Sequence, residues 1–169
     1  MPDFLNICGP VLADTAYVQN KLVARDVAIT LPEVSFMTAE IQAMGTHSIS
    51  IPQLLEDMEA AITKIGVDLG LSSMIKPEPL PLEVRWAQNV TDVNGASRAA
   101  GCKAFLRGTC RKIPGIGLNV GEASESEIPY GLTRYQLFVD GEEVFCFDRL
   151  NGICRIGGTD YMQNINALL

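Results

Sequence analysis

Arg134-Tyr135-Gln136-Leu137-Phe138-Val139-Asp140-Gly141-Glu142-Glu143-Val144-Phe145-Cys146-Phe147-Asp148 places two runs of aromatic and β-branched residues on either side of an Asp-Gly pair. A two-residue type I′ turn needs positive φ at both central positions, and Asp-Gly supplies it at low cost. Thr133–Asp148 is therefore predicted to be an antiparallel hairpin. A turn of that length sets Leu137 opposite Val144 and Tyr135 opposite Cys146 on one side, with Phe138, Phe145 and Phe147 on the other beside Arg134 and Gln136. Both faces are partly apolar, so both are expected to be covered.

Outward from this hairpin, Gly, Pro, Asn and Asp punctuate the chain at short intervals, as an antiparallel β-rich domain requires. Further strands are expected at Val27–Leu31, Phe36–Met44, Ser48–Ile51, Leu82–Asn89 and Lys103–Lys112, with Asn94-Gly95 and Asn151-Gly152 as turns. From Thr159, an N-cap type of residue, Met162, Ile165 and Leu169 recur at helical spacing, so a short helix is expected over 159–169. One segment, 54–65, reads two ways. Leu54, Leu55, Met58, Ala61, Ile62 and Ile65 follow helical spacing, while Met58, Ala60 and Ile62 alternate with Asp57, Glu59 and Thr63 as in a strand; local periodicity favours the helix. Lys76-Pro77-Glu78-Pro79-Leu80-Pro81 reads as a stiff connector.

The 169 residues, 47% apolar and 20% charged, suit one domain with a substantial core. No apolar run approaches the ~18 residues of a membrane span, and the amino terminus lacks a basic-then-apolar signal pattern; membrane insertion is not expected. A net charge of −7 argues against tight nucleic-acid wrapping, which needs clustered Lys and Arg. The five cysteines, Cys8, Cys102, Cys110, Cys146 and Cys154, form no C-x-x-C pair and are expected to be buried and reduced.

Chemical motifs are sparse. The one histidine, His47, has no nucleophile elbow to serve and reads as a polar residue near a turn. Gly115-Ile116-Gly117 with Gly121 lacks the last glycine of a dinucleotide loop. The carboxylates at Glu56-Asp57-Glu59 and Glu122-Glu125-Glu127 read as solvated acidic faces, with no calcium-loop spacing. Neither a cofactor nor a metal is expected.

The carboxy-terminal order of an aromatic strand, Asp140-Gly141, Asp148, Asn151-Gly152, Gly157-Gly158-Thr159-Asp160 and a closing helix resembles the major tail tube family of contractile-tailed phages and R-type bacteriocins. Asp140, Gly141, Asp148, Asn151, Gly152, Gly157 and Asp160 carry the likeness. Shorter anchors lie upstream at Ile29-Thr30-Leu31-Pro32, Arg107-Gly108 and Gly121-Glu122. The resemblance implies a mainly β, sandwich- or barrel-like subunit with one or two short helices. Six such subunits would form a ring whose inner strands join into one continuous barrel, and stacked rings would form the hollow inner tube, a conduit for DNA or, in a bacteriocin, ions.

It further implies a single domain, 1–169, with an arm over Met1–Asp14 and an extended inter-subunit loop over Glu40–Gln53, and no enzymatic step. The contested segment becomes a strand. Asp57, Glu59 and Thr63, with Glu125 and Glu127 from the neighbouring region, are then the candidates to face the lumen, where like charge would keep DNA from sticking. Implied partners are further copies of the chain, the sheath, baseplate and terminator proteins, and a tape measure protein or DNA in the lumen. The expected location is a virion tail or bacteriocin particle assembled in the host cytoplasm. Two rivals remain: the ring-forming tube protein of a type VI-like secretion system, and a small-molecule-binding β-barrel, which would need an apolar pocket with convergent polar groups.

Overall fold

The longest strand of the computed structural model, which describes residues 6–169, is β9 (Glu125–Val139), and the rest of the sheet is organised around it. In chain order the other strands are β1 (Ile7–Val18), β2 (Lys21–Arg25), β3 (Ile29–Thr30), β4 (Phe36–Gln42), β5 (Thr46–Leu55), β6 (Met58–Ile65), β7 (Leu80–Thr91), β8 (Ser97–Cys110), β10 (Glu142–Asp148), β11 (Ile153–Ile156) and β12 (Thr159–Asp160). Two short helices, α1 (Gly70–Met74) and α2 (Gln163–Asn166), complete the described chain. The fold is mainly β, as expected from the density of turn residues.

Ten strands form one antiparallel sheet in the order β12-β11-β10-β9-β8-β7-β1-β2, and β9 carries a branch. Its carboxy-terminal half pairs with β10, while its amino-terminal half pairs with β6, from Met58↔Leu132 to Ile65↔Glu125. β3 extends the branch beyond β6. The sheet wraps around one core that includes Val18, Met58, Ile62, Leu82, Ala104 and Ile128. Its two limbs meet where the Lys64 ammonium, on β6, donates to the Val23 carbonyl of β2 at 2.5 Å and pairs with Asp68 at 2.9 Å. A lysine only 7% exposed is tolerated there because both partners satisfy its charge. α1 closes the end of the core: Met74 is buried and its carbonyl accepts the Tyr130 hydroxyl at 2.7 Å. Burial pushes the Tyr130 phenol far above its usual pKa, so the hydroxyl remains a donor.

The contested segment is a strand. Met58, Ala60, Ile62 and Lys64 are buried while Glu59 and Ile65 are exposed, the two-residue alternation of β6. Pairing to β9 overrides a local spacing that favours a helix.

Five expectations need correction. The β9–β10 turn has φ of 49° at Asp140 and 84° at Gly141, as a type I′ turn demands, but the pairing slips between Glu143 and Phe145. Val144 bulges out, so Phe145 faces Leu137 and Phe147 faces Tyr135, and the aromatic stack Tyr135–Phe145–Phe147 gathers on one side. In the expected arm Met1–Asp14, Ile7–Asp14 lies in β1 and pairs with β7, while Met1–Leu5 lies outside the described residues. The expected loop Glu40–Gln53 is mostly strand, because β4 and β5 form a separate two-stranded hairpin. The expected helix 159–169 shrinks to α2: Gly157 and Gly158, at φ of 58° and 86°, turn the chain so that Thr159 and Asp160 pair back onto β11. Of the cysteines, Cys102, Cys146 and Cys154 are buried, whereas Cys8 is exposed and Cys110 half-buried; all five are free thiols.

Candidate functional site

Strand alternation on β6 and β9 sorts their side chains onto two faces. With Met58, Ile62, Ile128 and Tyr130 in the core, Glu59 and Thr63 of β6 share the outer face with Glu125 and Glu127 of β9. Thr63 sits directly opposite Glu127, Glu59 opposite Gly131, and Ile65 opposite Glu125. Asp57 precedes β6 at the same edge. The five candidate residues are thus brought together on one contiguous face.

That face also holds a cation. Arg111, the residue after β8, lies across Gly131 and donates to Asp57 at 2.5 Å and to Glu59 at 3.2 Å. Its backbone N–H donates to the Pro129 carbonyl at 3.0 Å. The space exists because Gly131 has no side chain: a Cβ there would run into the Arg111 guanidinium. Hydrogen bonding to Asp57 and the charges of both carboxylates raise the guanidinium pKa further. Arg111 therefore offsets one of the two negative charges of Asp57 and Glu59 within the subunit, and among the described residues Glu125 and Glu127 make no ion pair. Arg111 was not legible as a member of this group, since it pairs with carboxylates 52 and 54 positions away.

The turn residues prove to be structural fasteners. Asp140 does more than turn the chain: its carboxylate accepts from the Gly101 N–H and from Arg98, both at 3.2 Å, tying β8 to the hairpin end. Asp148 is buried and accepts from the Leu150 and Asn151 backbones at 3.1 Å, from the Asn151 amide at 2.7 Å and from Arg134 at 3.1 Å. Burial by itself would raise its pKa; the Asn151 and Arg134 bonds outweigh that and hold it below the usual value. Gly152 takes φ of 62° in the following turn, and Asp160 accepts from the Met162 N–H at 2.9 Å just before α2. These residues fix how β9, β10, β11 and β12 follow one another.

A depression of about 680 Å³ is open and lies elsewhere on the sheet, lined by Trp86, Cys102, Phe105 and Phe138 with Arg85 and Lys103. It is a trough on the sheet surface and not an enclosed ligand pocket with converging polar groups. Among the described residues no group of three His, Cys, Asp or Glu could hold a metal ion, and no helix is long and apolar enough to cross a membrane.

This architecture is the fold of contractile-injection-system proteins. A chain of the sheath-tube complex of the extracellular contractile injection system PVC, in its extended state, superimposes with a TM-score of 0.56 at 13% identity, covering 77% of this chain and 90% of that one. A chain from the sheath/tube terminator of the same system gives a TM-score of 0.54 at 13% identity, over 76% and 95% of the two chains. No match was found among curated proteins. Residues 13–169 match the family described as Phage tail tube protein FII, and the chain belongs to that family. It is a tail tube protein.

Proposed function

We propose that the chain forms hexameric rings that stack into the hollow inner tube of a contractile tail, and that the β6–β9 face bearing Asp57, Glu59, Thr63, Glu125 and Glu127 lines the lumen. The observation that carries the lumen assignment is the gathering of these polar side chains, from two separate parts of the sequence, on the face opposite the core. A wall with exposed carboxylates repels DNA weakly and gives it nothing to grip. Function on this reading is the conduit itself, for DNA in a phage or ions in a bacteriocin, with no catalytic step.

The partners follow from the same reading. Sheath protein would surround the tube, a terminator would cap it, a baseplate would start it, and a tape measure protein or DNA would occupy the lumen without sequence-specific binding. Assembly would take place in the host cytoplasm. The hairpin β4–β5 and the amino-terminal residues supply inter-subunit contacts. Negative-stain electron microscopy of the purified chain over a range of concentrations tests this: sixfold rings and hollow rods are expected. A chain that stays monomeric at the highest concentration would refute it.

A further inference from the structure

Two Asn-Gly pairs, Asn94-Gly95 and Asn151-Gly152, sit in turns with glycine at positive φ, 82° and 62°. Such a pair is open to attack of the backbone nitrogen on the preceding side-chain amide, because glycine puts no side chain in the way. The fold holds one pair and releases the other. The buried Asp148 carboxylate accepts from the Asn151 side-chain amide at 2.7 Å and from its backbone N–H at 3.1 Å. The Gly152 carbonyl accepts from the Asn166 amide at 3.2 Å, so the residue after Asn151 is pinned as well. The other turn is closed by Asp92. Its Oδ1 accepts from the Asn94 N–H at 2.8 Å and the Ala96 N–H at 3.0 Å, and its carbonyl accepts from the Gly95 N–H at 3.1 Å. All three donors are backbone groups. Among the described residues the Asn94 side chain makes no hydrogen bond, and residues 93–98 are all exposed. A Cβ on Gly95 would meet nothing within 4 Å, whereas one on Gly152 would lie 3.3 Å from Asn166.

We infer that Asn94 is a site of spontaneous covalent modification, converting to aspartate and isoaspartate in the folded chain, and that Asn151 is protected. The Gly95 nitrogen bonds to the Asn94 Cγ as the Cγ–Nδ2 bond breaks, and ammonia leaves carrying the Gly95 proton. Water then opens the cyclic imide at either carbonyl. No co-reactant other than water is consumed. Each event adds one negative charge to the −7 of the chain, at the tip of the β7–β8 hairpin beside Asp92. The isoaspartate product also lengthens the main chain by a methylene inside the turn that Asp92 closes.

The test incubates the purified chain, at a concentration where it is unassembled, at mildly alkaline pH, folded and in urea. Trypsin digestion and mass spectrometry then follow the amide-to-acid mass change at each asparagine. Asn94 falls in the peptide Trp86–Arg98 and Asn151 in Leu150–Arg155, so the two are read separately. In the folded chain Asn94 should convert roughly tenfold or more faster than Asn151, and in urea, where local protection is gone, the two rates should converge. Methyl transfer by an isoaspartyl methyltransferase should label the Asn94 peptide of the aged folded chain. A folded chain whose Asn94 stays intact while the same residue reacts in urea would overturn the inference. So would Asn151 reacting as fast as Asn94 in the folded chain. Neither result bears on the tube reading, which assembly alone decides.

Discussion

Two glycines of β8 should respond oppositely to the same added methyl group. A Cβ on Gly108 would lie 2.5 Å from the Leu132 Cδ2 and 2.6 Å from the Gly131 carbonyl oxygen, inside the core where the β8–β9 pairing slips between Arg107 and Gly108. One of those atoms belongs to the backbone and cannot rotate away. Overpacking of this kind costs about 1–3 kcal/mol, and removing a strand glycine returns roughly 0.5–1 kcal/mol through the unfolded chain. The net loss for Gly108→Ala is about 1–2 kcal/mol, which for a domain near this size lowers Tm by roughly 2–8 °C. At Gly101 a Cβ would meet nothing within 4 Å, and the hydrogen bonds to Asp140 use only its backbone. Gly101→Ala should therefore hold or raise Tm by up to about 3 °C. Thermal and urea unfolding of both variants, at a concentration where the chain is unassembled, decides it. Equal Tm changes for the two would refute the claim that close strand approach selects Gly108.

Asp148→Asn should cost about 2–4 kcal/mol, because Arg134 loses its carboxylate partner in a buried turn; urea midpoints measure it, and a loss under 1 kcal/mol counts against the fastener role. Asp148 and Glu143 both have depressed pKa values, Glu143 chiefly through its hydrogen bond from Arg155, so their stabilisation is complete above the ordinary carboxylate pKa range. It is lost as pH falls through the depressed values, so unfolding midpoints should drop below about pH 4, and less steeply in Asp148→Asn. Tyr130→Phe leaves the Met74 carbonyl without its partner and should cost about 1–2 kcal/mol with little change in ring formation. Asp57→Lys and Glu59→Lys each break an exposed pair to Arg111, worth about 0–1 kcal/mol, so rings should still form. If that face lines the lumen, the same variants should impair DNA delivery; normal delivery by both would refute the assignment.

The β9–β10 hairpin was legible because its determinant is local: the Asp140-Gly141 pair supplies both positive φ values. The register was not, since nothing in the neighbouring residues announces that Val144 bulges and moves every later side chain by one position. Segment 54–65 shows a different failure of locality. Its apolar spacing satisfies two periods at once, and the choice is made by β9, whose Ile128 and Tyr130 lie more than sixty positions away. The carboxy-terminal helix was overread because Met162, Ile165 and Leu169 keep helical spacing, while the consecutive positive-φ glycines Gly157 and Gly158 send Thr159 and Asp160 back into the sheet.

The acidic face was legible as residue types and illegible as an electrostatic surface. Counting Asp57, Glu59, Glu125 and Glu127 gives a wall of four negative charges, but Arg111 cancels part of it where Gly131 leaves room for the guanidinium. Among the described residues the net effect is graded along β6: paired charge near Met58, carboxylates without an ion pair near Ile65. The Arg111 backbone also anchors the start of the solvent-exposed apolar loop that ends at Ser124. Arg111→Ala removes the guanidinium but keeps the backbone N–H to Pro129, so it should leave the loop anchored and make the candidate lumen wall more negative, whereas Glu127→Gln should make it less so.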